Sequence, residues 1–162
     1  MYNKFGQFID GAWQEAERKE TYDVINPATE EVIGSASKAS SSDVQRALRS
    51  AQKGLKVWSG TTPWQRSYVL RKIADLMREK KDILAKWLTL EVGKPLLEGV
   101  GEVGGAADIF EWNAEETKRI YGQTVQSRFP ETRVHVYYQP VGVVAALIPV
   151  SYTHLRAHET EA

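Results

Sequence analysis

The stretch Tyr137-Tyr138-Gln139-Pro140-Val141-Gly142-Val143-Val144-Ala145-Ala146-Leu147-Ile148-Pro149 is the most apolar run in the chain. Residues 143–148 are apolar at every position. That pattern predicts a strand covered on both faces. Just before it, 132–139 alternates. Val134, Val136 and Tyr138 fall on one side, and Arg133, His135 and Tyr137 on the other. A period of two predicts a half-buried strand. Pro140-Val141-Gly142 turns or bends the chain between the two. After Pro149 the character changes. The text Val150-Ser151-Tyr152-Thr153-His154-Leu155-Arg156-Ala157-His158-Glu159-Thr160-Glu161-Ala162 continues no pattern set before it.

Working back from the apolar run, the next signal is helical. Leu96, Val100, Val103, Ala107, Phe110, Ala114, Thr117 and Tyr121 recur at alternating steps of four and three. This predicts the longest helix over 96–121, with Lys118 and Arg119 in its last turn and Gly122 as a left-handed cap. Gly99, Gly101, Gly104 and Gly105 weaken its first half by about 1 kcal/mol each relative to Ala. They predict close helix packing or a later start. Upstream, Thr62-Pro63-Trp64-Gln65 combines a capping hydroxyl, a proline at the first helical position and a glutamine three after the cap. Val69, Leu70, Ile73, Leu76 and Met77 follow as its buried stripe. A break near Lys80-Lys81-Asp82 leads to a further stripe of Ile83, Leu84, Trp87 and Leu88, stopped by Gly93 and Pro95. Ser40-Ser41-Ser42-Asp43 opens the first helix, whose apolar face is Val44, Ala47, Leu48, Ala51 and Leu55, with Trp58 packing at its end. Before it stand short strands. Phe8-Ile9 and Ala12-Trp13 flank an Asp10-Gly11 turn, whose residues tolerate the positive φ of a tight hairpin. Strands follow at Tyr22-Asp23-Val24-Ile25, ended by Asn26-Pro27, and at 31–36. The class is α/β.

The bulk numbers exclude several functions. The chain has 162 residues, 42% hydrophobic and 26% charged, ordinary for a soluble protein. Lys plus Arg and Asp plus Glu are 21 each, so no net field draws nucleic acid or an anionic membrane. No window approaches 18 uninterrupted apolar residues, and the start lacks a signal peptide's apolar core, so the expected compartment is the cytoplasm. There is no cysteine. Disulfides, thiolate metal sites and a cysteine nucleophile are therefore excluded within this chain.

Four motifs invite a functional reading. Gly99-Val100-Gly101-Glu102-Val103-Gly104 matches the dinucleotide fingerprint by letter. It lies inside a helical stripe and follows no strand, so it reads as helix glycines. Gly93-Lys94 lacks the earlier glycine and the following Ser or Thr of a phosphate loop. His154 and His158 have helical zinc spacing but no third ligand. Glu115, Glu116, Lys118 and Arg119 read as a solvated face, and His135 as an exposed strand residue.

In order and spacing, the chain resembles the NAD(P)-dependent aldehyde dehydrogenases. The resemblance rests on Phe8-Ile9-Asp10-Gly11-Ala12-Trp13, Val24-Ile25-Asn26-Pro27-Ala28-Thr29-Glu30-Glu31-Val32-Ile33, Asp43-Val44, Trp58 and Thr62-Pro63-Trp64-Gln65-Arg66. It continues through Thr89-Leu90-Glu91-Val92-Gly93-Lys94-Pro95 and Pro140-Val141-Gly142-Val143-Val144-Ala145-Ala146-Leu147-Ile148-Pro149, spanning nearly all of 5–149. The segment 110–122 looks most like the succinate-semialdehyde dehydrogenase branch.

The resemblance implies the N-terminal part of that fold: short strands, four helices, a β-arm and an incomplete Rossmann-like cofactor domain. It implies an NAD or NADP cofactor, an aldehyde substrate and a homo-oligomer, with no nucleic-acid or membrane partner. In such enzymes a cysteine thiolate attacks the aldehyde and hydride passes to the nicotinamide. A glutamate then activates the water that cleaves the thioester, and an Asn donates to the oxyanion. None of these matches a position here, so no catalytic residue is carried over. Ile148 and Pro149 match the start of the loop on the nicotinamide-ribose side of the cofactor pocket. Glu91 matches an acidic position that holds a structural monovalent cation in some members, with backbone carbonyls near Val24 and Ile25. The strand over 132–139 resembles part of the oligomerisation arm.

The family continues Ile-Pro with Trp-Asn-Phe-Pro, whereas Val150 follows Pro149 here. With one choice of codons, 150–160 back-translates into a transposase-type sequencing adapter. The expected organisation is a family segment over 1–149, inactive by itself, and a non-native tail over 150–162. The rival expectation is a short interaction module built of helices and a β-arm, with no enzymatic role.

Overall fold

The computed structural model describes residues 6–147. The opening hairpin pairs β1 (Gln7–Ile9) with β2 (Ala12–Gln14), Ile9 opposite Ala12. Asp10 and Gly11 carry φ of 56° and 77°. These are the left-handed values that a two-residue turn demands. β3 (Thr21–Ile25) pairs antiparallel with β4 (Val32–Ser37), with a register irregularity at Val24/Ile25.

Helix α1 (Ser41–Ser59) starts on a complete capping box between Ser40 and Asp43. Helix α2 (Pro63–Glu79) starts on another, where the Thr62 amide donates to Gln65 Oε1 at 2.8 Å and the Gln65 amide to Thr62 Oγ1 at 3.3 Å. Each box answers two amides that a helix start leaves without partners. Lys80 alone separates α2 from α3 (Lys81–Val92), and Gly93 ends α3 in the left-handed conformation. Helix α4 (Leu96–Glu116) is the longest, and its glycines do not delay its start.

Helices α2 and α3 both pack on α4. The seam is built from small side chains: Ala74 of α2, Ala85 of α3, and Gly99, Ala107 and Ala114 of α4 are all buried. Small residues let helix axes approach closely. The larger residues expected to form the α2 stripe sit at its margin, since Ser67 and Ala74 are buried while Val69 and Leu76 are exposed. The side chains at the shortest interaxial distance take the fully covered positions, and longer ones splay outward.

Five further expectations are corrected. The apolar face of α1 is not covered: Val44 is 50% exposed and Leu48 40%, because α1 packs chiefly against β1. Helix α4 ends at Glu116, not Tyr121. The Thr117 hydroxyl donates to Ala114 O at 2.9 Å and to Pro63 O at 3.1 Å, tying the chain to the start of α2. A hydroxyl that bonds nearby carbonyls offers the backbone an alternative to further helix. Gly122 is therefore no helix cap. A Cβ there would lie 2.6 Å from Val136 O, so it permits close passage beside the next hairpin.

That hairpin pairs β5 (Gln123–Gln126), absent from the sequence reading, with β6 (Arg133–Val136), and every residue of both is exposed. The half-buried strand expected over 132–139 is thus shorter and uncovered. Residues 143–147 form no strand, and Leu147 is 93% exposed. A strand needs a hydrogen-bonded neighbour, and among the described residues none lies beside this run. Every paired strand described is antiparallel.

Candidate functional site

The best-built junction lies where α3 ends. The Gly93 amide donates to Thr89 O at 2.8 Å. A Cβ on Gly93 would stand 2.9 Å from Pro27 Cγ and 3.1 Å from the Ala28 nitrogen. Only glycine combines the left-handed φ with that approach, so α3 abuts the turn between β3 and β4. Asn26 organises this turn. It is 8% exposed, and its Oδ1 accepts from the Ala28 amide at 2.9 Å. Its own amide donates to Glu31 O at 2.9 Å, and its carbonyl accepts from the Glu30 amide at 2.8 Å.

Glu91 lies in the last turn of α3, exposed, at this same junction. The negative end of a helix and a carboxylate form an oxygen-rich environment suited to a hard cation. Among the described residues, no three His, Cys, Asp or Glu side chains converge on a metal position.

Lys94 follows at once and is 6% exposed. Its ammonium is ion-paired with the Glu102 carboxylate of α4. The pair fastens the α3–α4 connection, and it commits the Lys94 ammonium to a protein carboxylate. Gly99, Gly101 and Gly104 lie within α4, where the Cβ position of Gly99 falls 3.0 Å from the Ala85 carbonyl. Neither glycine motif forms a turn that could cradle phosphate. Ile148, Pro149, His154 and His158 lie outside the described residues.

Two polar networks were not legible as such in the sequence. Asp43 was visible as a capping candidate, yet it is 1% exposed and reaches well beyond its own helix start. It accepts from the Ser40 amide at 2.8 Å, from the Glu17 amide at 3.2 Å, and from the Arg46 guanidinium. The Ser40 amide first, then Arg46, the Ser40 hydroxyl and the Glu17 amide hold its carboxyl well below the usual range, against the opposing effect of burial. The second network crosses α2 and α4. Arg78 binds Asp108 at 2.8 Å and Glu111 at 2.6 Å, while Arg71 pairs with Glu115. Glu115 therefore belongs to an interhelical network and not simply to a solvated face. The signal was the arginine pair seven apart on α2 opposite acids at the same spacing on α4, Asp108 and Glu115.

Comparison with known proteins gives a consistent picture. The model of the aldehyde dehydrogenase family matches residues 13–157. A glutarate-semialdehyde dehydrogenase of Pseudomonas aeruginosa is 44% identical over 145 residues, covering 90% of this chain and 30% of that protein. An NADP(+)-linked succinate-semialdehyde dehydrogenase of Escherichia coli is 41% identical over 144 residues, covering 89% of this chain and 30% of that protein. The crystal structure of an E. coli NADP-dependent enzyme superposes with a TM-score of 0.76 at 40% identity, covering 81% of this chain and 28% of its own. The chain thus spans about 30% of the length of the curated relatives it matches.

Proposed function

Because the chain belongs to the aldehyde dehydrogenase family, we propose that it forms the N-terminal portion of an oxidoreductase that converts a semialdehyde to its carboxylic acid with NAD or NADP. The carrying observation is the family match over residues 13–157, with 44% identity to a glutarate-semialdehyde dehydrogenase. The chain has no cysteine, so it supplies no thiolate and we assign it no catalytic residue. Its own residues act as a frame. Asp43 fixes the start of α1 to the chain at Glu17, and the Lys94–Glu102 pair fixes α3 to α4. The arginine network braces α2 against α4.

Three assignments belong to this reading. Glu91 holds a structural monovalent cation with carbonyls near Val24 and Ile25. Ile148 and Pro149 border the nicotinamide-ribose side of the cofactor. The β5–β6 arm meets a second copy of the chain in a homo-oligomer, a reading supported by exposed Val134, Val136 and Tyr138.

The test is a chimera in which residues 1–149 replace the corresponding part of the Pseudomonas relative. Oxidation of glutarate semialdehyde, followed by nucleotide absorbance, is expected from the chimera and not from the 162-residue chain. A folded chimera that binds the nucleotide yet oxidises no semialdehyde refutes the proposal. Turnover by the cysteine-free chain refutes its inactivity.

A further inference from the structure

A hollow of about 380 Å³ lies where the end of α1, the start of α2 and the C-terminal half of α4 meet. Trp58, Leu70, Phe110 and Ile120 supply apolar walls, and Arg66 and Asn113 supply polar groups. The side-chain amide of Asn113 is spent on Ile109 O at 2.8 Å. Arg66 is different. One Nη donates to Thr61 O at 3.0 Å, but Nε is buried and has no acceptor.

Its position adds to the demand. Arg66 lies in the N-terminal turns of α2, whose first turn holds no acidic residue. A cation at the positive end of a helix is disfavoured unless an anion accompanies it. Arg66, like Arg18, Arg49, Arg128 and Arg133, forms no ion pair among the described residues; what sets it apart there is its buried Nε without an acceptor. An unanswered guanidinium N–H beside an apolar hollow is the chemistry of a site for a small anion with an apolar body.

We propose that this hollow binds an aryl or short alkyl monocarboxylate. The carboxylate meets the Arg66 fork, and the apolar body lies against Trp58, Leu70 and Phe110. Turning the rigid guanidinium to present the buried Nε gives up its Nη bond to Thr61 O, and a carboxylate taking the planar fork in two parallel bonds replaces that bond and answers Nε as well. The proposal does not depend on the family reading.

The experiment titrates the labelled 162-residue chain with sodium benzoate at constant ionic strength, following the Trp58 indole N–H and the Asn113 side-chain amide by NMR. Saturable shifts of both are expected with benzoate. Benzyl alcohol, a neutral analogue, should bind about tenfold more weakly or not at all, since it cannot answer the guanidinium. Arg66→Lys keeps the charge, loses the fork and should weaken binding about fivefold or more. Ile109→Trp alters an exposed wall of the hollow, leaves Arg66 intact and should abolish binding. If Arg66→Lys does not fold, Ile109→Trp with benzyl alcohol decides the matter. Equal binding of benzoate and benzyl alcohol overturns the proposal. So do wild-type titration of either folded variant and an unresponsive Trp58.

Discussion

Helix α4 contains two glycines two residues apart whose surroundings are opposite, and the same substitution should change sign between them. A Cβ at Gly101 meets nothing within 4 Å, whereas one at Gly99 would stand 3.0 Å from the Ala85 carbonyl and 3.2 Å from Thr89 Oγ1. Replacing either glycine with alanine removes the helix-interior penalty of glycine, about 1 kcal/mol. At Gly101 nothing opposes that gain, so Gly101→Ala should stabilise by about 0.5–1 kcal/mol. At Gly99 the opposing atom is backbone in the middle of α3, and no side-chain rotation can relieve it. Restoring an ordinary contact of 3.4 Å requires the helices to part by about 0.4 Å. The seam there is lined by fully buried Ala85 and Ala107, whose dispersion contacts fade with such gaps. Overpacking of this kind costs about 1–3 kcal/mol, so Gly99→Ala should be neutral to destabilising by about 2 kcal/mol. The two variants should differ by about 2 kcal/mol, which at ordinary urea sensitivity separates their midpoints by about 1 M. Urea titration followed by far-UV circular dichroism reads this directly. Equal midpoints for the two variants would refute the close α3–α4 approach.

Three more outcomes follow from the same structure. Thr62→Ala removes half of the α2 capping box and should cost about 1 kcal/mol, read as a lower urea midpoint with an unchanged slope. Glu102→Gln strips the carboxylate from buried Lys94 and should cost about 3 kcal/mol, while the double change Lys94→Met with Glu102→Gln should recover part of the loss. A double variant less stable than the single would show that the ammonium is answered elsewhere. Asp43 has a folded pKa depressed below its unfolded value. Its stabilising effect is therefore complete above the unfolded value of about 4 and is lost as pH falls toward the lower folded value. Wild type should lose stability through that acid range, and Asp43→Asn should start less stable at neutral pH and lose less. Parallel acid-unfolding curves for the two proteins would exclude Asp43 as the titrating group.

Local chemistry made much of the fold readable. Asp10-Gly11, the boxes at Ser40 and Thr62, the Lys80 break and Gly93 each act within a few residues, and each stands where the sequence predicted. The helix glycines were likewise readable, because no strand precedes Gly99. Where several segments must meet, the sequence was a poorer guide. A heptad-like run through Tyr121 could not reveal that Thr117 would bond to Pro63, which is 54 residues away. Apolar spacing marked Val44 and Leu48 as a face but not what, if anything, would cover it. The partner strand Gln123–Gln126 carries polar residues at three of four positions, so its pairing depends on the facing strand rather than on its own pattern.

The candidate site divides in the same way. Order and spacing pointed to the family, and the resemblance in turn implied Glu91, Ile148 and Pro149 as expected site residues. Tertiary structure alone brought the end of α3 against the Asn26 turn, joined Lys94 to Glu102, and gave Arg66 no carboxylate partner among the described residues. Caps and turns are settled by hydrogen bonds between near neighbours, and a linear text records near neighbours. Burial, ion pairing across helices and an unmet donor depend on distances that only the packed chain defines.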